Sequence, residues 1–168
     1  MSSLGDAQLY FEVRSFQARE AAALQSADYD TWLAMMLPDV TYRVPVVSVN
    51  EDVKASESGV RELAHYDDTL ETLKIRVARM RSRMAWTEIP PSRVRYFVDP
   101  ISIRAEGIDV LVTSNFMVYQ TRLQREENWY VGRRDDRLRR VDSRLLLAER
   151  VAVIDRTVLP GKNLTVFV

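Results

Sequence analysis

The chain has 168 residues, 46% of them hydrophobic and 29% charged. This is the composition of an ordinary globular protein, and one domain spanning residues 1–168 is expected. There is no cysteine and one histidine, His65, which excludes disulfides, thiolate nucleophiles, zinc–thiolate sites, cysteine-ligated iron–sulfur clusters and a two-histidine facial triad within one chain. The net charge is zero but unevenly spread: residues 1–73 hold 13 acids and 5 bases, and residues 74–168 hold 11 and 19.

Leu9, Val13, Phe16, Ala23 and Leu24 recur at helical spacing and predict a first helix from about Asp6 to Gln25. Glu20 falls on the same stripe, where a carboxylate lies at the stripe's edge, pairs with an arginine or serves catalysis. Asp28 reads as an N-cap. Tyr29, Trp32, Leu33, Met36 and Leu37 predict a second helix ended by Pro38. Val40 to Val49 alternates and reads as a strand, with Pro45 marking an edge or bulge. Residues 50–60 read as an exposed loop. Asp68-Thr69-Leu70-Glu71 has capping-box spacing and opens a third helix to about Ser82, with Leu70, Leu73, Val77 and Met80 inward. Trp86 to Pro91 reads as a stiff connector. Strands follow at about Arg93–Asp99, Ile108–Arg125, Asn128–Arg140 and Leu145–Val158, with turns at Glu106-Gly107, Glu126-Glu127 and Asp142-Ser143. Helices followed by a long antiparallel meander make an α+β layout, with the helices on one face of the sheet. The apolar tail Val166-Phe167-Val168 is expected to be docked.

The segment from Trp129 to Val141 is the most unusual in the chain. As a strand it can bury Trp129 and Val131. Beyond them it puts Arg133, Asp135, Arg137 and Arg139 on one face, and Arg134, Asp136, Leu138 and Arg140 on the other. Charge on both faces is incompatible with the domain's own core, so the segment is expected to meet water or a charged partner. Arg133, Arg134, Asp135, Asp136, Arg137, Arg139 and Arg140 are therefore candidate subunit-interface residues. Of the 24 basic residues 21 are arginine, whose planar fork suits carboxylates at desolvated contacts. A neutral total with interleaved acids argues against nucleic acid.

Little else in the chain suggests chemistry. His65-Tyr66-Asp67-Asp68 is the one cluster with acid–base potential; His65 and Asp67 form a candidate pair, with a tyrosine such as Tyr42. Capping and packing are the competing reading for these residues. Tyr10, Tyr29 and Tyr42 could line a pocket, or belong to the core with wet hydroxyls. No nucleophile elbow, phosphate loop or dinucleotide glycine fingerprint occurs. The first residues lack signal-peptide regions, and no apolar run reaches spanning length, so a cytoplasmic location without membrane contact is expected.

Several blocks in order resemble the small, or beta, subunits of aromatic-ring-hydroxylating dioxygenases. They are Ala34 to Tyr42, His65 to Asp68 with the helix that follows, Ala85 to Glu88 with Pro90 to Arg93, Ser114 to Phe116, Val131 to Arg140, and Leu159-Pro160 with Lys162 to Leu164. The turn after Asp142 lacks the family's glycine, and the tail ends Val166-Phe167-Val168 where many relatives end in paired phenylalanines. The resemblance implies an NTF2-like cone: a strongly curved antiparallel sheet with about three N-terminal helices on one face. It implies a large (alpha) oxygenase subunit as partner, in a heterohexamer of three large and three small subunits with self-trimer contacts. The Rieske 2Fe-2S cluster and mononuclear iron would sit in that large subunit, with no cofactor, metal or catalytic residue in this chain. Electrons would come from a reductase, often through a ferredoxin. The reaction implied is insertion of O2 into an aromatic ring to give a cis-dihydrodiol. The alternative is a stand-alone isomerase or dehydratase of the same fold, using His65 and Asp67.

Overall fold

The computed structural model describes residues 4–46, 64–86, 90–123, 126–155 and 164–168. Helices α1 (Leu4–Gln25) and α2 (Tyr29–Leu33) precede strand β1 (Met36–Pro45). Strand β2 (Ala64–Thr69) runs directly into helix α3 (Leu70–Trp86). Strands β3 (Arg93–Glu106), β4 (Asp109–Arg122), β5 (Glu126–Val141) and β6 (Arg144–Ile154) follow. The six strands form one sheet in the order β2-β1-β6-β5-β4-β3. The last four make the anticipated antiparallel meander. No local pattern announces how the sheet is completed: β6 pairs in parallel with β1, which pairs antiparallel with β2. Helix α1 lies against β3 and β6, α3 lies against β1 and β2, and α2 touches both helices.

One buried core fills the space between helices and sheet. Val13 and Phe16 from α1, Trp32 from α2, Leu73 and Val77 from α3, and Val112, Phe116, Val118, Leu138 and Leu147 from the meander all lie inside it. The tail is docked as expected: Val166, Phe167 and Val168 are buried, and Phe167 packs on Trp32 with ring centroids 4.3 Å apart. Burying aromatic rings of this size contributes on the order of 2–3 kcal/mol each.

Three expectations need correction. Helix α2 stops at Leu33, because Met36 and Leu37 already belong to β1. A residue before proline disfavours helical geometry, and Pro38 has no N–H to donate; it falls where the β1–β6 ladder breaks, between Met36 and Thr41. Pro45 likewise sits at the register shift between β1 and β2; the rest of the expected strand, residues 47–49, and the expected loop 50–60 lie outside the described residues. His65 to Asp68, read as leading into a helix cap, form a strand. The reciprocal cap comes one residue later: the Thr69 N–H donates to Thr72 Oγ1 at 2.8 Å and the Thr72 N–H donates to Thr69 Oγ1 at 3.4 Å. Asp68 is thereby released to face inward and bind Arg76 at 2.8 Å. Finally, Trp129 and Val131 lie on the outer face of β5, and Tyr130 and Gly132 lie inside. Gly132 is required there: a Cβ would stand 2.0 Å from the Val153 carbonyl oxygen on β6, a main-chain atom that cannot give way.

Candidate functional site

The inner face of β5 continues from Tyr130 through Arg134, Asp136 and Leu138, all buried. The doubly charged strand is therefore inside its own domain along one file, contrary to expectation, because charged partners are present inside. Arg150 is directly opposite Asp136 on β6, and Ser114 on β4 is opposite Arg134. From above, α1 lowers Glu20 into the same layer. Arg134 Nη2 donates to Glu20 Oε2 at 2.7 Å. Arg150 Nη1 and Nη2 donate to Glu20 at 2.7 and 3.1 Å, while Nε and Nη2 donate to Asp136 at 2.7 and 2.9 Å. Trp32 Nε1 donates to Glu20 Oε1 at 3.3 Å, and Tyr42 donates its hydroxyl to the Val168 main-chain oxygen. Arg134 Nε is 3.3 Å from Asp136 Oδ2 but is too poorly aligned for a hydrogen bond.

Two guanidiniums and two carboxylates make this cluster neutral, the condition for keeping charge in a core. Burial works to raise the Glu20 carboxyl, but the charges of Arg134 and Arg150 outweigh it and hold it down at about 2. Burial pushes the Tyr42 hydroxyl up to about 12. Glu20 is thus a structural ion-pair partner with no proton to exchange near neutrality. No sequence motif marks Arg150. Its signal was available: it is the one charge in the inward file Leu145, Leu147, Arg150, Ala152 and Ile154.

The other charges of the run are exposed or half-buried, and each has a partner in the chain. Arg133 pairs with Asp135 at 3.2 Å, and Asp135 also accepts from Thr113 Oγ1 at 2.5 Å. Arg137 reaches Glu149 at 3.4 Å and Asp109 at 3.6 Å. Arg139 holds Asp109 at 2.8 Å and Arg140 holds Glu12 at 2.5 Å. Beside Arg133 and Asp135 the outer face turns apolar. Phe97, Met117 and Val131 are cross-strand neighbours in one row, and Tyr119 and Trp129 stack with centroids 4.6 Å apart in the next. Phe97, Trp129 and Val131 are all exposed there.

The candidate acid–base set does not assemble. His65 lines a cavity of about 440 Å³ between α3, β2 and the tail, and neither Asp67 nor Tyr42 reaches that cavity. Burial pushes the His65 imidazole below its ordinary value, favouring the neutral ring. Asp67 is exposed on the sheet, opposite Arg43. Of the three candidate pocket tyrosines, Tyr29 lines the cavity, Tyr42 is core and Tyr10 is exposed on α1. The Tyr66 hydroxyl at the cavity wall donates to the main-chain oxygens of Leu164 and Val166. Among the described residues no group of three or more histidine, cysteine, aspartate or glutamate side chains could hold a metal ion. No helix among them is long and apolar enough to cross a membrane.

Known proteins resemble this arrangement. A benzene 1,2-dioxygenase subunit beta from Pseudomonas putida is 32% identical over 95% of this chain and 89% of its own length. Among solved structures, naphthalene 1,2-dioxygenase with indole bound in its active site superposes with a TM-score of 0.82 at 20% identity, covering 96% of this chain and 86% of that one. The beta subunit of benzoate 1,2-dioxygenase from Burkholderia mallei superposes with a TM-score of 0.66 at 18% identity, over 91% of each chain. At such identities the superpositions establish the fold alone, an NTF2-like α+β cone with one curved sheet. The family model described as "Ring hydroxylating beta subunit" matches residues 19–161. With that match and the Pseudomonas relative together, the chain belongs to the beta subunits of aromatic-ring-hydroxylating dioxygenases.

Proposed function

We propose that this chain is the non-catalytic assembly subunit of its dioxygenase: one domain that contributes shape and contacts while a large alpha subunit performs the chemistry. The observation that carries the reading is the fate of the candidate catalytic groups. His65 faces a cavity without Asp67 or Tyr42, and Glu20 is neutralised by Arg134 and Arg150. The donor inventory points the same way: a chain with no cysteine and one histidine cannot supply the thiolates and imidazoles of a Rieske 2Fe-2S cluster, nor two histidines for a mononuclear iron. Both centres are assigned to the large subunit, with electrons delivered by a reductase or ferredoxin. The complex is a cytoplasmic heterohexamer of three large and three small subunits with self-trimer contacts, and it binds neither nucleic acid nor membrane.

The outer face of β5 is offered as a subunit interface. It has the composition of one: aromatic and aliphatic side chains at Phe97, Trp129 and Val131 beside the Arg133–Asp135 and Arg137–Glu149 pairs. Arg139 extends that charged edge, Arg140 ties the end of the strand to Glu12 of α1 on the helix side, and Arg134 and Asp136 support the face from within. Co-expression with the cognate large subunit is expected to give one stable complex on size-exclusion chromatography. Separate elution of the two chains at micromolar concentration defeats the reading, as does oxygen consumption by this chain alone.

A further inference from the structure

We propose that the cavity beneath α3 binds a small organic anion with an apolar body, an aryl carboxylate being the simplest. The inference does not depend on how the chain assembles. Among the described residues, the lining of this cavity includes Arg76, Arg79 and Arg83 and not one carboxylate. These three positions recur at i, i+3 and i+7 and so fall on one face of the helix. Arg76 is fixed in place by Asp68 at 2.8 Å and by the Tyr66 ring, 3.9 Å from its guanidinium carbon. Arg79 makes no ion pair among the described residues. A guanidinium without a carboxylate partner on a concave wall attracts anions, and the planar fork of Arg79 matches a carboxylate bidentately.

Charge alone would admit any anion; the floor selects for an apolar body. Met80 and Met84 of α3, with Val94 and Leu164 from the rest of the lining, add apolar surface to the same cavity, and methionines adapt well to an aromatic ring. The amide oxygens of Gln25 and Gln120 are already taken, by the Tyr96 N–H at 3.0 Å and by Thr165 Oγ1 at 3.0 Å. A neutral polar ligand therefore finds fewer acceptors than a carboxylate finds donors. At about 440 Å³ the space suits one or two fused rings.

His65 gives a direct readout, because it lines the cavity and is the chain's one histidine. The chain is labelled at histidine, assembled with unlabelled large subunit, and titrated with 2-naphthoate, 2-naphthamide and inorganic phosphate. Saturable movement of the His65 signals by 2-naphthoate is expected, with the amide and phosphate each weaker by about tenfold or more. Arg79→Gln, on the exposed side of the helix, should weaken 2-naphthoate by about tenfold and leave the amide unchanged. Val94→Trp should block both organic ligands; thermal melting checks that each variant is folded. Equal affinity for acid and amide, phosphate binding as tightly as 2-naphthoate, no saturable response of His65, or an Arg79→Gln variant that binds like wild type would each overturn the proposal.

Discussion

Among the described residues Arg150 is the most deeply buried charged side chain. It is fully buried and makes four of the hydrogen bonds that neutralise Glu20 and Asp136. Removing it leaves two buried carboxylates against Arg134 alone. Arg150→Met is expected to cost about 3–5 kcal/mol in urea denaturation. Replacing Glu20, Arg134, Asp136 and Arg150 together by apolar residues of similar size should recover most of that loss, because the stranded charges disappear too. Acid tests the same cluster. Glu20 has an ordinary value of 4.5 and is held at about 2 in the folded chain. Below about pH 5 the unfolded chain takes up a proton that the folded chain refuses. The stabilisation is therefore complete above that pH and drains away as pH falls towards 2, on the order of 3 kcal/mol in all. Urea midpoints at pH 6 and pH 3 measure it, and the difference should shrink in Glu20→Gln, which has no carboxylate to protonate there.

Among the secondary-structure elements, the β5–β6 turn has the clearest unspent stability. Asp142 and Ser143 adopt φ values of +44° and +68°, the left-handed pair that joins a tight hairpin. Neither is glycine, and each side chain crowds its own main chain. Ser143→Gly is expected to raise stability by about 0.5–1 kcal/mol, seen as a higher Tm with an unchanged fold. The same hairpin marks the limit of what the sequence disclosed. Strands β3 to β6, the turn at Asp142, the Asp28 cap and the docked tail were legible because each signal is local: alternation, turn chemistry, a capping side chain, an apolar end. The Asp28 carboxylate does accept from the Thr31 N–H, at 3.2 Å. Strand β2 was missed because His-Tyr-Asp-Asp reads as polar until Tyr66 and Asp68 are seen facing core partners. The inward file of β5 was missed for the same kind of reason. Arg134 finds its carboxylate 114 residues away, on α1, and no pattern within β5 announces that meeting. The cavity was only half legible: His65 and Tyr29 were marked, but the convergence of Arg76, Arg79 and Arg83 on them follows from α3 crossing β1 and β2.

For the whole molecule, the two faces of β5 divide the labour. The inner file ties α1 to the sheet through Glu20, so damage there is damage to the fold. The outer file presents Trp129, Val131, Arg133, Asp135 and Arg137, whose ion pairs are exposed and worth about 0–1 kcal/mol each to the chain itself. A strand so costly in arginine on its outside gains little internal stability from it, which is why we propose the outer file for contacts between subunits. The two files therefore make opposite predictions. Val131→Asp with Arg133→Glu should leave the melting of the isolated chain within about 0.5 kcal/mol of wild type. The same pair should abolish co-elution with the large subunit, because a buried unpaired charge at an interface costs several kcal/mol. Arg134→Met, one residue further along, should lower the melting of the isolated chain before assembly is measured at all. If the Val131/Arg133 variant assembles like wild type, the outer face of β5 is solvent in the complex, and the interface must be sought on another part of the sheet.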